Sequence, residues 1–310
     1  MLRLNKLAFV LALTVAACAQ DPLFRAETRL VVLHASVVDR AGKLVTNLPQ
    51  KAFRVYENGV EQQIKIFRRE DVPVSLGLVI DNSGSMKPRR EQVESAALSL
   101  VKASNVQDQV FIVNFNDEAY LDAPFTGSMT KLEEGVARID ARGGTAMRDA
   151  ISMSVDYMKD EAKRDKKVIL VVTDGDDNAS SVTLEQIVRK AQQSEILLYT
   201  IGLLSDEDRG AARRAQRAMT AISEASGGLA FFPKELPEVN QLALDVAHEI
   251  RNQYIIAYSP SNQALDGSYR QIRIAVEGPN RPVARTRTGY YATPEPRDKA
   301  AVTPSPVARQ

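Results

Sequence analysis

Short oxygen-bearing side chains stand at alternate positions in one stretch, Asp81-Asn82-Ser83-Gly84-Ser85-Met86. Gly84 lets the backbone turn between them. On a loop leaving a buried strand, Asp81, Ser83 and Ser85 can converge on one point, and hard oxygens at one point suit a hard cation such as Mg²⁺. Two other stretches share this character. Thr145 follows the pair Gly143-Gly144 and opens a helix, and Asp174 stands in Thr173-Asp174-Gly175 behind a β-branched run. Two carboxylates and three hydroxyls, with water, make an octahedral Mg²⁺ set; Mn²⁺ and Ca²⁺ are the alternatives. Hydroxyls are neutral, so an ion held largely by them stays electrophilic. It can take one more anion, such as the Asp or Glu carboxylate of a partner protein.

The elements that must bring these residues together are legible from residue 73 onward. Apolar runs at 75–80, 109–115, 167–172 and 196–201 read as buried strands, with 119–121 as a short edge strand and 229–232 as a short last one. Between them, helical spacing of apolar residues predicts helices over 88–103, 131–139, 147–163, 184–194, 208–225 and 239–251. This alternation predicts an α/β fold: a doubly wound, mostly parallel sheet with helices on both faces. Ligands of such sheets bind beyond the carboxyl ends of the strands, where all three oxygen clusters fall.

The flanks read differently. Residues 29–39, 53–56 and 60–68 are strand-like, with Glu57-Asn58-Gly59 as a hairpin turn and Val60, Ile64 and Ile66 on one face. Strands return at 253–259, 269–277 and 284–291. Neither flank can bury a core alone, so 29–72 and 252–292 are expected to pack together as a small β-sandwich, with the α/β domain, 73–251, inserted between them. Residues 293–310, rich in Pro, Ala, Lys and Arg, are expected to be disordered.

Asp81-Asn82-Ser83-Gly84-Ser85-Met86, Gly143-Gly144-Thr145 and Thr173-Asp174-Gly175 resemble, in order and spacing, the three loops of the metal-ion-dependent adhesion site of von Willebrand factor type A domains. The resemblance covers about residues 73–250. It implies that Ser83, Ser85 and Thr145 contact the metal directly or nearly so, and that Asp81 and Asp174 act largely through water. The flanks, with Phe53-Arg54-Val55-Tyr56-Glu57-Asn58-Gly59, Gln253-Tyr254 and Arg287-Thr288-Gly289-Tyr290, resemble an uncharacterised bacterial group of von Willebrand factor A-related proteins, first described from acidobacterial genomes. That adds architecture rather than a biological role.

Composition narrows the function. The 310 residues carry a net charge of +1, so no basic excess points to nucleic acid. Two histidines, His34 and His248, argue against a histidine-based metal site or triad. The single cysteine closes an N-terminal leader: Arg3 and Lys6, an apolar run over 7–17, then Val15-Ala16-Ala17-Cys18, which resembles a bacterial lipobox. The expectation is a leader over 1–18, membrane attachment through a lipid on Cys18, a tether over 19–28 and a place in the cell envelope, outer membrane or periplasm. Ordinary cleavage after Ala17-Cys18-Ala19, giving a secreted protein, is the alternative.

An enzyme is not expected. A strand ending in Asp81 is superficially like aspartyl phosphatases, but those need an acid two residues on, where Ser83 stands. Ser83 is outside Gly-x-Ser-x-Gly. The leading expectation is an interaction or adhesion module, with a scaffold stabilised by metal as the runner-up. A helix cap is the competing reading for Asp81 to Ser85, whereas Asp176 and Asp177 are expected in a solvated turn and Arg209, Arg213, Arg214 and Arg217 on a solvated helix face, with anionic-surface binding as the minor reading for the arginines.

Overall fold

The computed structural model describes residues 29–294, apart from 70, 104, 106, 138–141, 176 and 206–207. The leader with Cys18 and most of the expected disordered tail lie outside the described residues.

The chain begins with β1 (Val31–Val38), β2 (Phe53–Glu57), β3 (Val60–Gln62) and β4 (Ile64–Arg68). The central part follows: β5 (Val74–Asp81), α1 (Arg90–Lys102), β6 (Gln109–Phe115), β7 (Ala119–Thr126), α2 (Met129–Ala137), α3 (Met147–Glu161), β8 (Lys166–Thr173), α4 (Leu184–Gln193), β9 (Ile196–Gly202), α5 (Arg209–Ser226), β10 (Ala230–Phe231) and α6 (Glu238–Arg251). It ends with β11 (Tyr254–Tyr258), β12 (Tyr269–Val276), β13 (Val283–Arg285) and β14 (Gly289–Tyr291).

The central sheet has the order β10-β9-β8-β5-β6-β7. All its pairs are parallel except β6 with β7. Alternate residues point to opposite faces, and both faces are covered, which is why these strands read as unbroken apolar runs. Leu76, Leu78, Ile80, Ile112 and Leu170 pack with α1, α2 and α6. Val79, Phe111, Val113, Ile169 and Val171 pack with α3, α4 and α5. Gly77 is paired with Phe111, and a Cβ on it would lie 2.4 Å from Phe111 Cζ. The ring lies over the missing side chain.

Four features differ from the sequence reading. The edge strand β7 runs on to Thr126 because it pairs antiparallel with most of β6. Pro88 lies in a 3₁₀ turn, Gly84–Arg89, ahead of α1 rather than in the first turn of the α-helix. The run 60–68 is two strands: β3 pairs with β2, whereas β4 pairs with β11 in another sheet. The break at Gln63 dissolves the shared face, leaving Val60 56% exposed. The run 284–291 divides likewise, β13 pairing with β1 and β14 with β12.

The flanks thus form two four-stranded sheets, β13-β1-β11-β4 and β14-β12-β2-β3, each mixing strands from both ends of the chain. Val31, Leu33, Val55, Tyr254, Ile256, Tyr258 and Ile272 share the core between them. Inside it the buried Glu57 carboxylate accepts from Tyr258 and Tyr290 hydroxyls at 2.7 and 2.9 Å.

The opposite face of β1 turns to the α/β part. There Ser36 and Tyr199 hydroxyls donate to Glu249 Oε1 at 2.8 and 3.1 Å, and Gln253 Nε2 reaches both hydroxyl oxygens at 3.1 Å. This buried polar network ties β1, β9 and α6 together.

Candidate metal centre

Strand β5 delivers Asp81 to the carboxyl edge of the central sheet with 1% of its surface exposed. The backbone then turns, with Ser83 N–H donating to Asp81 Oδ1 at 2.7 Å. Asn82 N–H donates to Phe115 O at 2.6 Å, which anchors this loop on β6.

The loop before α3 lies against it. Gly84 N–H donates to Gly143 O at 3.3 Å, and Arg142 N–H to Asn82 O at 3.1 Å. Gly143 has φ +76°, a backbone favouring glycine, and a Cβ there would fall 2.0 Å from Asp117 Oδ2, so a larger residue would displace that carboxylate. Asp117 Oδ1 accepts from Gly144 N–H at 2.7 Å. The third loop closes the set: Asn178 and Ala179 N–H groups donate to Thr145 O at 3.1 Å, and Asn178 Oδ1 accepts from Thr145 N–H at 2.9 Å.

All five residues singled out in the sequence therefore lie in three interlocked loops. Ser83 Oγ and Ser85 Oγ are 3.1 Å apart, and Ser85 Oγ donates to Asp174 Oδ1 at 2.9 Å. Thr173 Oγ1 donates to Asp81 Oδ2 at 2.5 Å, linking the first loop to the third. Thr145 is buried and its Oγ1 lies beside Gly175: a Cβ on that glycine would be 3.2 Å from it. The Ser83 side chain caps no helix N–H, contrary to the cap reading.

The electrostatics are those of carboxylates lacking water. Burial pushes the Asp81 carboxyl up to about 6, against the opposing hydrogen bonds from Thr173 and Ser83. Burial raises Asp174 as well, opposed by the Ser85 hydroxyl and the Arg89 guanidinium. Arg89 Nη1 donates to Asp174 Oδ2 at 2.6 Å.

The donor set fits a hard cation. An octahedral Mg²⁺ with oxygens at 2.0–2.1 Å has neighbouring oxygens about 3 Å apart, the spacing found between the Ser83 and Ser85 hydroxyl oxygens. No group of three or more His, Cys, Asp or Glu is gathered among the described residues, so any ion here would be held chiefly by hydroxyls.

Arg89, Asp117 and Asn178 were not singled out in the sequence. Arg89 meets Asp174 across 85 residues, and no local spacing signals that. Asp177 is corrected: its side chain is 5% exposed, not solvated. It accepts from Arg148 N–H at 2.7 Å at the start of α3 and pairs with Arg148 Nη2 at 3.0 Å. Asp176 lies outside the described residues. Arg209, Arg213, Arg214 and Arg217 are exposed on α5, as expected.

A doubly wound sheet with three interlocked oxygen loops at its carboxyl edge defines the class of α/β domain with a loop-built site. Residues 76–176 match the family model of the von Willebrand factor type A domain, and the chain is a protein with such a domain. It is 30% identical over 145 residues to the inter-alpha-trypsin inhibitor heavy chain H4 of Sus scrofa, covering 42% of this chain and 16% of that one. It is 29% identical over 136 residues to integrin alpha-11 of Mus musculus, covering 41% of this chain and 11% of that one. The chain thus matches less than a fifth of either relative's length. A solved von Willebrand factor type A structure from Catenulispora acidiphila shares the fold, with a TM-score of 0.52 at 12% identity over 87% of this chain and 74% of that one.

Proposed function

We propose that this protein is an interaction module that holds a Mg²⁺-type ion at the three loops and offers it to an Asp or Glu carboxylate of a partner protein. Ser83, Ser85 and Thr145 would hold the ion, with Asp81 and Asp174 acting largely through water; the ion would supply a fixed positive charge for the incoming carboxylate. The observation that carries this reading is that the Ser83 and Ser85 hydroxyls and the buried Asp81 and Asp174 carboxylates are linked where the three loops interlock. The burial of Asp81 and Asp174, which a cation would offset, supports it too. The similarity to an integrin chain agrees with an adhesive role.

The leader and Cys18 support placing the module on the cell envelope through a lipid, with 29–72 and 252–292 forming a base for the α/β domain. A second reading, a scaffold rather than a binder, draws on Arg89, which already gives Asp174 a cationic partner. Affinity capture from envelope extracts separates the two. Partners retained with Mg²⁺ and released by chelator, and absent with Asp81→Ala, support the module. Partners that ignore both treatments contradict it.

A further inference from the structure

We propose that the cleft between the β-sandwich and the amino-terminal edge of the central sheet binds a small oxyanion: a phosphate or carboxylate group on a body with apolar surface. The cleft has a volume of about 670 Å³, within the range of small-molecule sites. Val32 and His34 on the outward face of β1 form one wall with Ile66 and Arg68 of β4, and the segment entering β8 forms the other. Asp174 lies at the far end of β8, about 25 Å away at 3.3 Å per residue, so this site is separate from the metal loops.

The charge is concentrated here. Six basic residues line the cleft against two acidic ones, Asp165 and Glu195, with Lys166 turning its Nζ away to Ile250 O, in a chain whose net charge is only +1. Arg287 is nine-tenths buried. Its Nη2 donates to Val32 O at 3.1 Å, while Glu195 stands 3.7 Å off with its own side chain 69% exposed. Arg287 Nε has no acceptor, and neither Arg164 Nε, His34 Nδ1 nor Thr286 Oγ1, all on residues of the same walls, has a partner. A buried guanidinium ordinarily has a close anion, and its planar fork matches a two-oxygen acceptor. Arg287 and Arg164 therefore stand at the cleft with part of their hydrogen-bonding capacity unused. Burial together with Lys166 and Arg287 holds the His34 imidazole down to about 3, so at neutral pH the ring is an uncharged hydrogen-bonding group. Val32, Ile66, Leu197 and Ile255 give the rest of the ligand an apolar surface.

The test is calorimetric titration of the full chain, in chelator, with inorganic phosphate, phenyl phosphate and succinate. Saturable binding is expected, tighter for phenyl phosphate than for inorganic phosphate, and weakened about tenfold by Arg164→Gln or Arg287→Lys. Asp81→Asn should leave it unchanged, which keeps this result independent of the metal reading. Succinate binding alone would assign a carboxylate ligand, and phosphate binding alone a phosphate one. Arg164 is only partly buried, so its variant serves if Arg287→Lys does not fold. No saturable heat with any of the three anions, or equal affinity in wild type and Arg164→Gln, would overturn the proposal and leave a cleft filled by water.

Discussion

Arg89 Nη1 lies 2.6 Å from Asp174 Oδ2, with the Asp174 side chain 3% exposed and that of Arg89 23% exposed. The same carboxylate accepts from Ser85 through its other oxygen. One buried acid therefore serves both an internal cation and the line of oxygens suited to a metal. An ion held as proposed would compete with Arg89 for this carboxylate, so Arg89 would set how readily the loops accept it.

Arg89→Gln is accordingly expected to bind Mg²⁺ about tenfold more tightly, a gain of ~1.4 kcal/mol, because a nearby positive charge is removed. Without metal the same variant should lose about 1–3 kcal/mol of stability, since Asp174 is left buried and unpaired. Calorimetry and urea unfolding with chelator measure the two effects. Unchanged affinity would mean that Arg89 moves aside at no cost.

The Gly77 and Phe111 pair makes a packing prediction. A Cβ at 77 would lie 2.4 Å from the Phe111 ring, so Gly77→Ala should cost about 1–3 kcal/mol through overpacking. Adding Phe111→Leu should restore part of that loss. Chemical unfolding of the two variants checks it, and additive losses would contradict the contact.

The central sheet and its loops were legible because β5, β6, β8 and β9 are buried on both faces and because Asp81, Thr145 and Asp174 each follow a local strand or glycine signal. What escaped was non-local. Nothing local in 60–68 says that β3 and β4 join different sheets; that follows from β11, almost 190 residues later in the chain. Asp177 reads as a polar turn until Arg148 is placed beside it, and Arg89 reads as a surface helix residue until β8 brings Asp174 to it. Strand periodicity reports burial, whereas partners across the sheet depend on topology.

His34 makes stability depend on pH. In the folded chain its imidazole is held at about 3, against an ordinary 6.5. Lys166 and Arg287 contribute to this, and Arg68, Arg164 and Glu195 share the same cleft. Below pH 6.5 the unfolded chain therefore binds a proton that the folded chain refuses. Stability should fall as pH drops from 6.5 towards 3, by ~2 kcal/mol at pH 5 relative to pH 8. Unfolding curves of wild type and His34→Gln, compared at both pH values, isolate this contribution from the carboxylates. Parallel pH profiles would count against it.

The polar network around Glu249 predicts a mechanical coupling. Glu249→Ala leaves the Ser36 and Tyr199 hydroxyls without their buried acceptor, a loss of about 1–3 kcal/mol. It should also loosen the sandwich against the α/β part, read as faster proteolysis near Val72 and Pro73. Unaltered cleavage would place the coupling elsewhere.

The most direct measurement of the central claim is calorimetric titration of Mg²⁺ into the full chain and into Asp81→Asn and Thr145→Ala, with circular dichroism confirming that each variant is folded. The account predicts one saturable site in wild type, lost or strongly weakened in both variants. Absence of Mg²⁺ binding in wild type, or equal binding in all three proteins, would contradict it.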